Sequence, residues 1–398
     1  MGQAEPVENL SRLEAFYAQA PGIAVDRRLL VLQRNMRDYQ FLTQDLGTLW
    51  QAVEQCYRTK GWQQLTAFRE ALQPFLDVQG FWNHSLTLNK WACEAAQALG
   101  DDVRRARYIH DLANILNQQG SYRQAEQLYL QSEKIYLRQE LHEWALKSRH
   151  MRSMVVRAQG KAGEAQHLCQ STVVEARQLG LDQWLAHPLF VLAIFARDRG
   201  DTHQAESLIT ECLVRLDGTG EDDLVAQCHN FLAEIALRQK KLAQARAHLD
   251  VSLPLLQHRG VKRLEMATRR LLGELAAAED RSEEAERIYA QGLSMFDTDQ
   301  LNDTMGQAQM LFSRARLLVQ LHRAQDAVRV LEASLALFTR LSHPRGILGV
   351  SWWLFKLYVR QCHWLRALCL IPPVLRTARA ANLLTPRQLL AVLHRRPL

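Results

Sequence analysis

The chain has 398 residues, 47% of them apolar and 23% charged, with a formal net charge of +7 and a pI near 9.1. Met1 to Ala20 carries Glu5, Glu8, Arg12 and Glu14 without an apolar run, and no apolar stretch elsewhere is long enough to span a bilayer, so a soluble cytoplasmic protein with no membrane partner is expected. Seven Cys, at 56, 93, 169, 212, 228, 362 and 369, form no CxxC pair; this argues against a disulfide framework or a zinc knuckle and for small core residues in a reducing compartment.

Residues 1–46 lie outside any repeat. Asn9 or Ser11 is placed to cap a short helix through Ala18, Pro21 and Gly22 break it, and Asp26 to about Asp45 reads as a second helix. These helices are expected either to cap the first repeat or to plug its groove. Helical patterns follow at Leu49–Tyr57 and Leu65–Leu76, separated by Gly61-Trp62.

Beyond them one small residue keeps returning. Ala125, Ala165, Ala205, Ala245, Ala285, Ala327 and Ala367 are separated by 40, 40, 40, 40, 42 and 40 residues. Five residues before each stands a turn position: Gly120, Gly160, Gly200, Lys240, Asp280, His322 and Cys362, with Gly80 before Ser85 marking an eighth copy. A fixed period of this size means one supersecondary unit stacked on its copies into a continuous core.

Within a unit, Ile109, Leu112, Ala113 and Leu116 form one apolar helical stripe, Gly120 ends that helix, and Ala125, Leu128, Tyr129 and Ser132 form the stripe of the next. Ala113 and Ala125 let the two axes approach. Ala193 and Ile209, Ala233 and Leu249, Gly273 and Tyr289, and Ala315 and Leu331 repeat the pattern. Hairpins are joined at Gly100-Asp101-Asp102, Gly180-Leu181-Asp182, Gly220-Glu221-Asp222 and Gly260, a C-capping glycine often followed by an N-capping acid. The polar segment Asp297 to Asp303 takes up the two extra residues of the 42-residue step. His187-Pro188 predicts a helix that starts at Pro188 or kinks there; Pro372-Pro373 interrupts the last unit, and Thr385-Pro386 opens a closing helix to about His394. The expected fold is all-α: an α-solenoid, a right-handed superhelix of about eight antiparallel helix hairpins over 47–381, with capping helices at 1–46 and 382–398.

The string Leu112-Ala113, Gly120-Ser121-Tyr122, Ala125, Tyr129, Ser132 resembles the tetratricopeptide repeat, with its small residue, Gly, aromatic, Ala, aromatic and small residue in that order. The resemblance covers roughly residues 65–381. Its 40-residue step resembles the long-helix variety of kinesin light chain and of the sensor arrays of bacterial STAND-class regulators, and Leu49-Trp50-Gln51-Ala52-Val53 through Gly80-Phe81-Trp82 looks like the start of the latter; their ATPase is absent. HEAT-type repeats have similar lengths, but the Gly turn followed five residues later by Ala favours the tetratricopeptide class.

No metalloprotease, phosphate-loop or GxSxG motif occurs, and the 14 His show no clustered metal pattern, so neither an enzyme nor a cofactor is expected. The resemblance implies instead a groove lined by the first helix of each hairpin. Positions flanking the apolar stripes give Arg107, His110, Asn114 and Asn117, then Lys147, His150 and Arg157, then Phe190 and Arg197, then Asn230, Arg270 and Arg316. Any one of these fits an ordinary solvated helix face; together they suit a peptide or helix segment of another protein, the amides holding its backbone and the cations its acids. Nucleic acid is the rival ligand, along a track of Arg104, Arg105, Arg107, Lys147, Arg149, Arg152 and Arg157 that Glu143, Asp198, Glu234 and Glu274 interrupt. A third role is that of accessory to a hydrolase whose partner carries the active site. The expected function is a scaffold, sensor or adaptor of a bacterial regulatory, signalling or defence system.

Overall fold

A computed structural model describes residues 21–36, 38–297, 303–341 and 343–380, and divides the chain into two compact units, Met1–Val191 and Leu192–Leu398. The first holds α1 (Pro21–Arg34), α2 (Tyr39–Arg58), α3 (Trp62–Gln79), α4 (Trp82–Ala98), α5 (Asp102–Gln118), α6 (Tyr122–Arg138), α7 (His142–Ala158) and α8 (Ala162–Gln178). A 3₁₀ turn at Asp182–Trp184 leads into α9 (Ala186–Asp198), inside which the division falls. The second unit continues with α10 (Thr202–Leu216), α11 (Asp222–Arg238), α12 (Leu242–Arg259), α13 (Lys262–Ala278), α14 (Ser282–Asp297), α15 (Thr304–Gln320), α16 (Ala324–Arg340), α17 (Pro344–Arg360), α18 (Trp364–Cys369) and α19 (Ile371–Ala380). Described residues outside these helices are turns and short connections, and each unit is an α-solenoid.

Helices pack on their sequence neighbours, and first helices also touch first helices: α1 on α3 in the first unit, α11 on α13 and α13 on α15 in the second. The small residues sit at the crossings as their spacing requires. Ala113 and Ala125 are fully buried in one cluster with Tyr129 and Val155, and Ala233 and Ala245 share another with Leu249, Leu271 and Leu275.

The turns explain why the frame survives the loss of glycine. Gly120 has φ of 76°, while Lys240, Asp280, His322 and Cys362, at the corresponding positions, have φ of 60°, 60°, 56° and 58°. At each, the following amide reaches back to a carbonyl in the last helical turn: Ser121 N to Leu116 O at 2.8 Å, Lys241 N to Ala236 O at 2.9 Å, Arg323 N to Leu318 O at 2.9 Å. This is the Schellman closure, and it holds a side-chain-bearing residue in the left-handed region at a cost of roughly 1–2 kcal/mol.

Several boundaries differ from expectation. Instead of helices at Asp26–Asp45 and Leu49–Tyr57, one helix runs through Tyr39–Arg58, and the break lies before it, where Asp38 accepts from the Phe41 amide at 3.0 Å. A polar N-cap outweighs the weak interruption around Gly47, which sits inside α2. Pro21 is the first residue of α1. α9 begins two residues before Pro188, which occupies the first turn, where its missing N–H leaves no helical bond unmade. The extra residues of the long step fall between α14 and α15, and Asp303 caps α15 through the Gly306 amide at 3.0 Å. The last hairpin's second arm is divided into α18 and α19 next to Pro372-Pro373. The expected helices within residues 1–20 and at 385–394 lie outside the described residues.

Candidate functional site

The first helices meet along a ladder of polar contacts between residues 37 to 39 apart. In the first unit Tyr108 Oη donates to Glu70 at 2.9 Å, Arg107 pairs with the same carboxylate, and His110 Nδ1 lies 3.0 Å from Ser148 Oγ. In the second, Arg197 donates to Glu234 at 3.0 Å, Asn230 Nδ2 to Thr268 Oγ1 at 2.8 Å, and Ser313 Oγ to Glu274 at 2.5 Å. Each contact joins one first helix to the next.

This ladder redistributes the residues expected in the groove. His110 and Asn230, 6% and 9% exposed, are rungs between helices rather than open positions. Arg197 is shared between Glu234 and Asp198 and covers the Phe231 ring at 5.0 Å; Arg270 pairs with Glu274 one turn along α13. His150 is half-buried with its ring 5.6 Å from that of His187, and Arg157 and Phe190 are half-buried on α7 and α9. Arg316 is exposed on α15.

Three of the expected residues, Arg107, His110 and Lys147, border one open site. Arg107 is exposed and Lys147 holds its ammonium 5.0 Å above the Trp144 ring, while Asn114, on the same helix as Arg107, accepts from Tyr129 Oη at 2.6 Å. Asn117 is half-buried one turn further along α5. Arg107 and Lys147 line a cavity of about 520 Å³ between α3, α5 and α7, with Glu70, Gln73 and Asp77 from α3, Asp111 from α5 and Trp144 from α7, and with Arg69, Pro74, His110 and Tyr136 completing its wall. Tyr136 and Trp144 stack at 6.0 Å, an aromatic ledge beside groups of both charges.

Beneath the cavity Arg69 is 1% exposed. Its Nε donates to Asn89 Oδ1 at 3.0 Å, a terminal nitrogen pairs with Asp111, and the guanidinium lies 4.4 Å over the Tyr108 ring. Asn89 in turn donates to Gln73 at 2.7 Å, and Gln73 to Asp77 at 2.7 Å, so the cavity floor is one connected network.

Glu70, Asp77, Asp111 and Trp144 were not among the expected positions. The signal for Asp111 was present: it stands one turn from Arg107, at i+4, and is half-buried, whereas His110, at i+3, is buried at the helix interface. Glu70 lies 37 residues before Arg107, one rung back.

Burial, reinforced by Lys147, pushes the His110 pKa down to about 4 from an ordinary 6.5. The unfolded chain therefore binds a proton below pH 6.5 that the folded chain refuses until about pH 4, and stability fully present above 6.5 falls across that window. We expect the urea midpoint of the first unit to drop on acidification from 6.5 to 4, with His110 contributing up to about 1.4 kcal/mol per pH unit; His110→Gln should flatten the slope, and an unchanged slope would refute the assignment.

No protein-family model matches the chain, and no curated protein matches it. Among solved structures it is similar to the apo form of the quorum sensor NprR from B. thuringiensis, at 13% identity over 92% of this chain and 99% of that one, with a TM-score of 0.56. It is similar also to aspartyl phosphate phosphatase F from Bacillus subtilis, at 10% identity over 73% and 75% of the two chains and a TM-score of 0.57. A Rap protein complexed with competence and sporulation factor matches at 14% identity over 84% and 88%, with a TM-score of 0.50. The fold is that of a tetratricopeptide-type helical repeat protein.

Proposed function

We propose that the chain is a non-enzymatic sensor or adaptor of a bacterial regulatory system that holds a segment of a partner protein on the inner face of its first unit. The observation that carries this is the cavity between α3, α5 and α7, where an aromatic ledge, Lys147 and Arg107 face Glu70, Asp77 and Asp111. Such a surface suits a segment with an apolar side chain and charges of both signs better than a purely acidic one. Carboxylate pairing does not separate the two units, since Arg107 is paired with Glu70 as Arg197 and Arg270 are with Glu234 and Glu274; what favours the first is the cavity with Lys147 beside Trp144. The fold's likeness to a quorum sensor and to a Rap protein bound to a factor supports the same reading.

A nucleic-acid track is disfavoured by pairing. Arg104 and Arg105 lie 3.5 and 3.8 Å from Asp101 and Asp102, and Arg149 and Arg152 both turn to Glu133 on α6. The test is affinity capture from a host lysate, with and without nuclease, comparing wild type with Arg107→Ala and Lys147→Ala combined. A protein retained by wild type, reduced about tenfold or more in the variant and indifferent to nuclease is expected. Recovery of nucleic acid alone, or capture untouched by the substitutions, would remove the site. Because one structural neighbour is named a phosphatase, the captured fraction should also be assayed for phosphate release from an aspartyl phosphate, with none attributable to this chain expected.

A further inference from the structure

Among the described residues, three crossings of a second helix with the first helix of the next hairpin bring together a polar pair 16 residues apart: Ser132 and Ser148 at 3.3 Å, Cys212 and Cys228 at 3.5 Å, Ser252 and Thr268 at 3.2 Å. The thiol pair thus occupies a place built for two small polar groups, on α10 and α11, and both cysteines are fully buried. We propose that Cys212 and Cys228 are a modification site: a peroxide converts them to a disulfide that draws α10 and α11 together.

The geometry favours closure. A disulfide needs a sulfur separation of about 2.05 Å, so the pair must approach by roughly 1.5 Å, within the travel of two side chains at a helix crossing. Stepwise, one thiol loses its proton and its sulfur takes an oxygen from the peroxide as the O–O bond breaks, leaving a sulfenic acid and water. The second sulfur then attacks the first, the S–O bond breaks and a second water leaves; two thiols and one peroxide give one disulfide and two waters. Burial decides the class of oxidant. A small neutral peroxide can reach these sulfurs through local opening, whereas a charged tripeptide disulfide such as oxidised glutathione is kept to exposed thiols, here Cys362 and Cys369. Once either buried sulfur is oxidised, its partner is the nearest nucleophile, so the product is the cross-link rather than a higher oxide.

Cys228 is two residues before Asn230, the rung to Thr268, so the bond would adjust the inner edge of α11. The chemistry stands apart from the proposed partner segment, and its test involves none. The reduced full-length protein is treated with hydrogen peroxide or, separately, with oxidised glutathione, then unfolded in alkylating agent, digested and mapped. A linked peptide pair containing Cys212 and Cys228 is expected with peroxide, reversed by dithiothreitol and at least tenfold less abundant with glutathione. Cys212→Ser, which recreates the Ser-type crossing, should keep the helical spectrum and abolish the link. Full alkylation of Cys212 and Cys228 after peroxide has oxidised Cys362 and Cys369, or a sulfinic acid at either buried position, would overturn the proposal, and equal linking by glutathione would overturn the choice of oxidant.

Discussion

Replacing Arg69 with Met is expected to destabilise the first unit by about 3–5 kcal/mol, the usual cost of removing one partner from a buried charged pair. Met keeps much of the aliphatic volume, so the loss is electrostatic: Asp111 and the Asn89 carbonyl lose their donor, and the Tyr108 ring loses the cation that covers it. At roughly 2–4 °C per kcal/mol for a unit of this size, melting should fall by roughly 10 °C. Because the chain has two units, a single unfolding free energy is not assured; amide exchange is the sharper readout, faster throughout α3 and α5 and unchanged in α11 to α16. Asp111→Leu alone should cost less, because the guanidinium keeps Glu70 at 3.5 Å and Asn89 at 3.0 Å, while Arg69→Met with Asp111→Leu should recover part of the Arg69→Met loss, since Asp111 is no longer left without its donor. An Arg69→Met loss below about 1 kcal/mol would mean that solvent reaches Arg69 and that the cavity floor is not preorganised.

Much of this architecture was legible because it is written in backbone requirements. The 40-residue recurrence of Ala125 to Ala367 marks helix crossings that admit only small side chains, and the turns five residues earlier hold even where Lys240 or His322 stands for glycine. The inner face was legible only in part. Sequence separates buried from exposed positions on a helix to within about one residue in angle, and that residue decides whether His110 or Asp111 faces the open side. Arg69 was invisible for another reason: a lone arginine in an apolar stripe gives no sign of its partners, and Asn89 and Asp111 lie 20 and 42 residues away. Pairing likewise depends on the rung geometry, which determines that Arg107 meets Glu70 while Lys147 lies over Trp144.

The crossing of α13 and α14 allows the rule of small residues to be tested quantitatively. Gly273 lies opposite Tyr289, 16 residues on, where the corresponding pairs are Ala113 and Tyr129, Ala193 and Ile209, Ala233 and Leu249, and Ala315 and Leu331. A Cβ at 273 would stand 2.5 Å from Tyr289 Cε1 and 2.7 Å from Cζ, and the ring, 1% exposed, has no room to swing away. Gly273→Ala should therefore destabilise despite the better helix propensity of alanine: overpacking of about 1–3 kcal/mol outweighs a propensity gain of about 0.5–1 kcal/mol. Tyr289→Leu alone should cost about 2–3 kcal/mol, because a smaller side chain facing glycine leaves a void. Together they rebuild the Ala and Leu crossing already present at 233 and 249, so the double variant should be more stable than the sum of the singles by at least about 1.5 kcal/mol. Denaturant midpoints of the four proteins decide the matter. Strict additivity would show that α13 and α14 can move apart to admit the extra carbon, and that the small residues of the repeat are set by something other than the distance between helix axes.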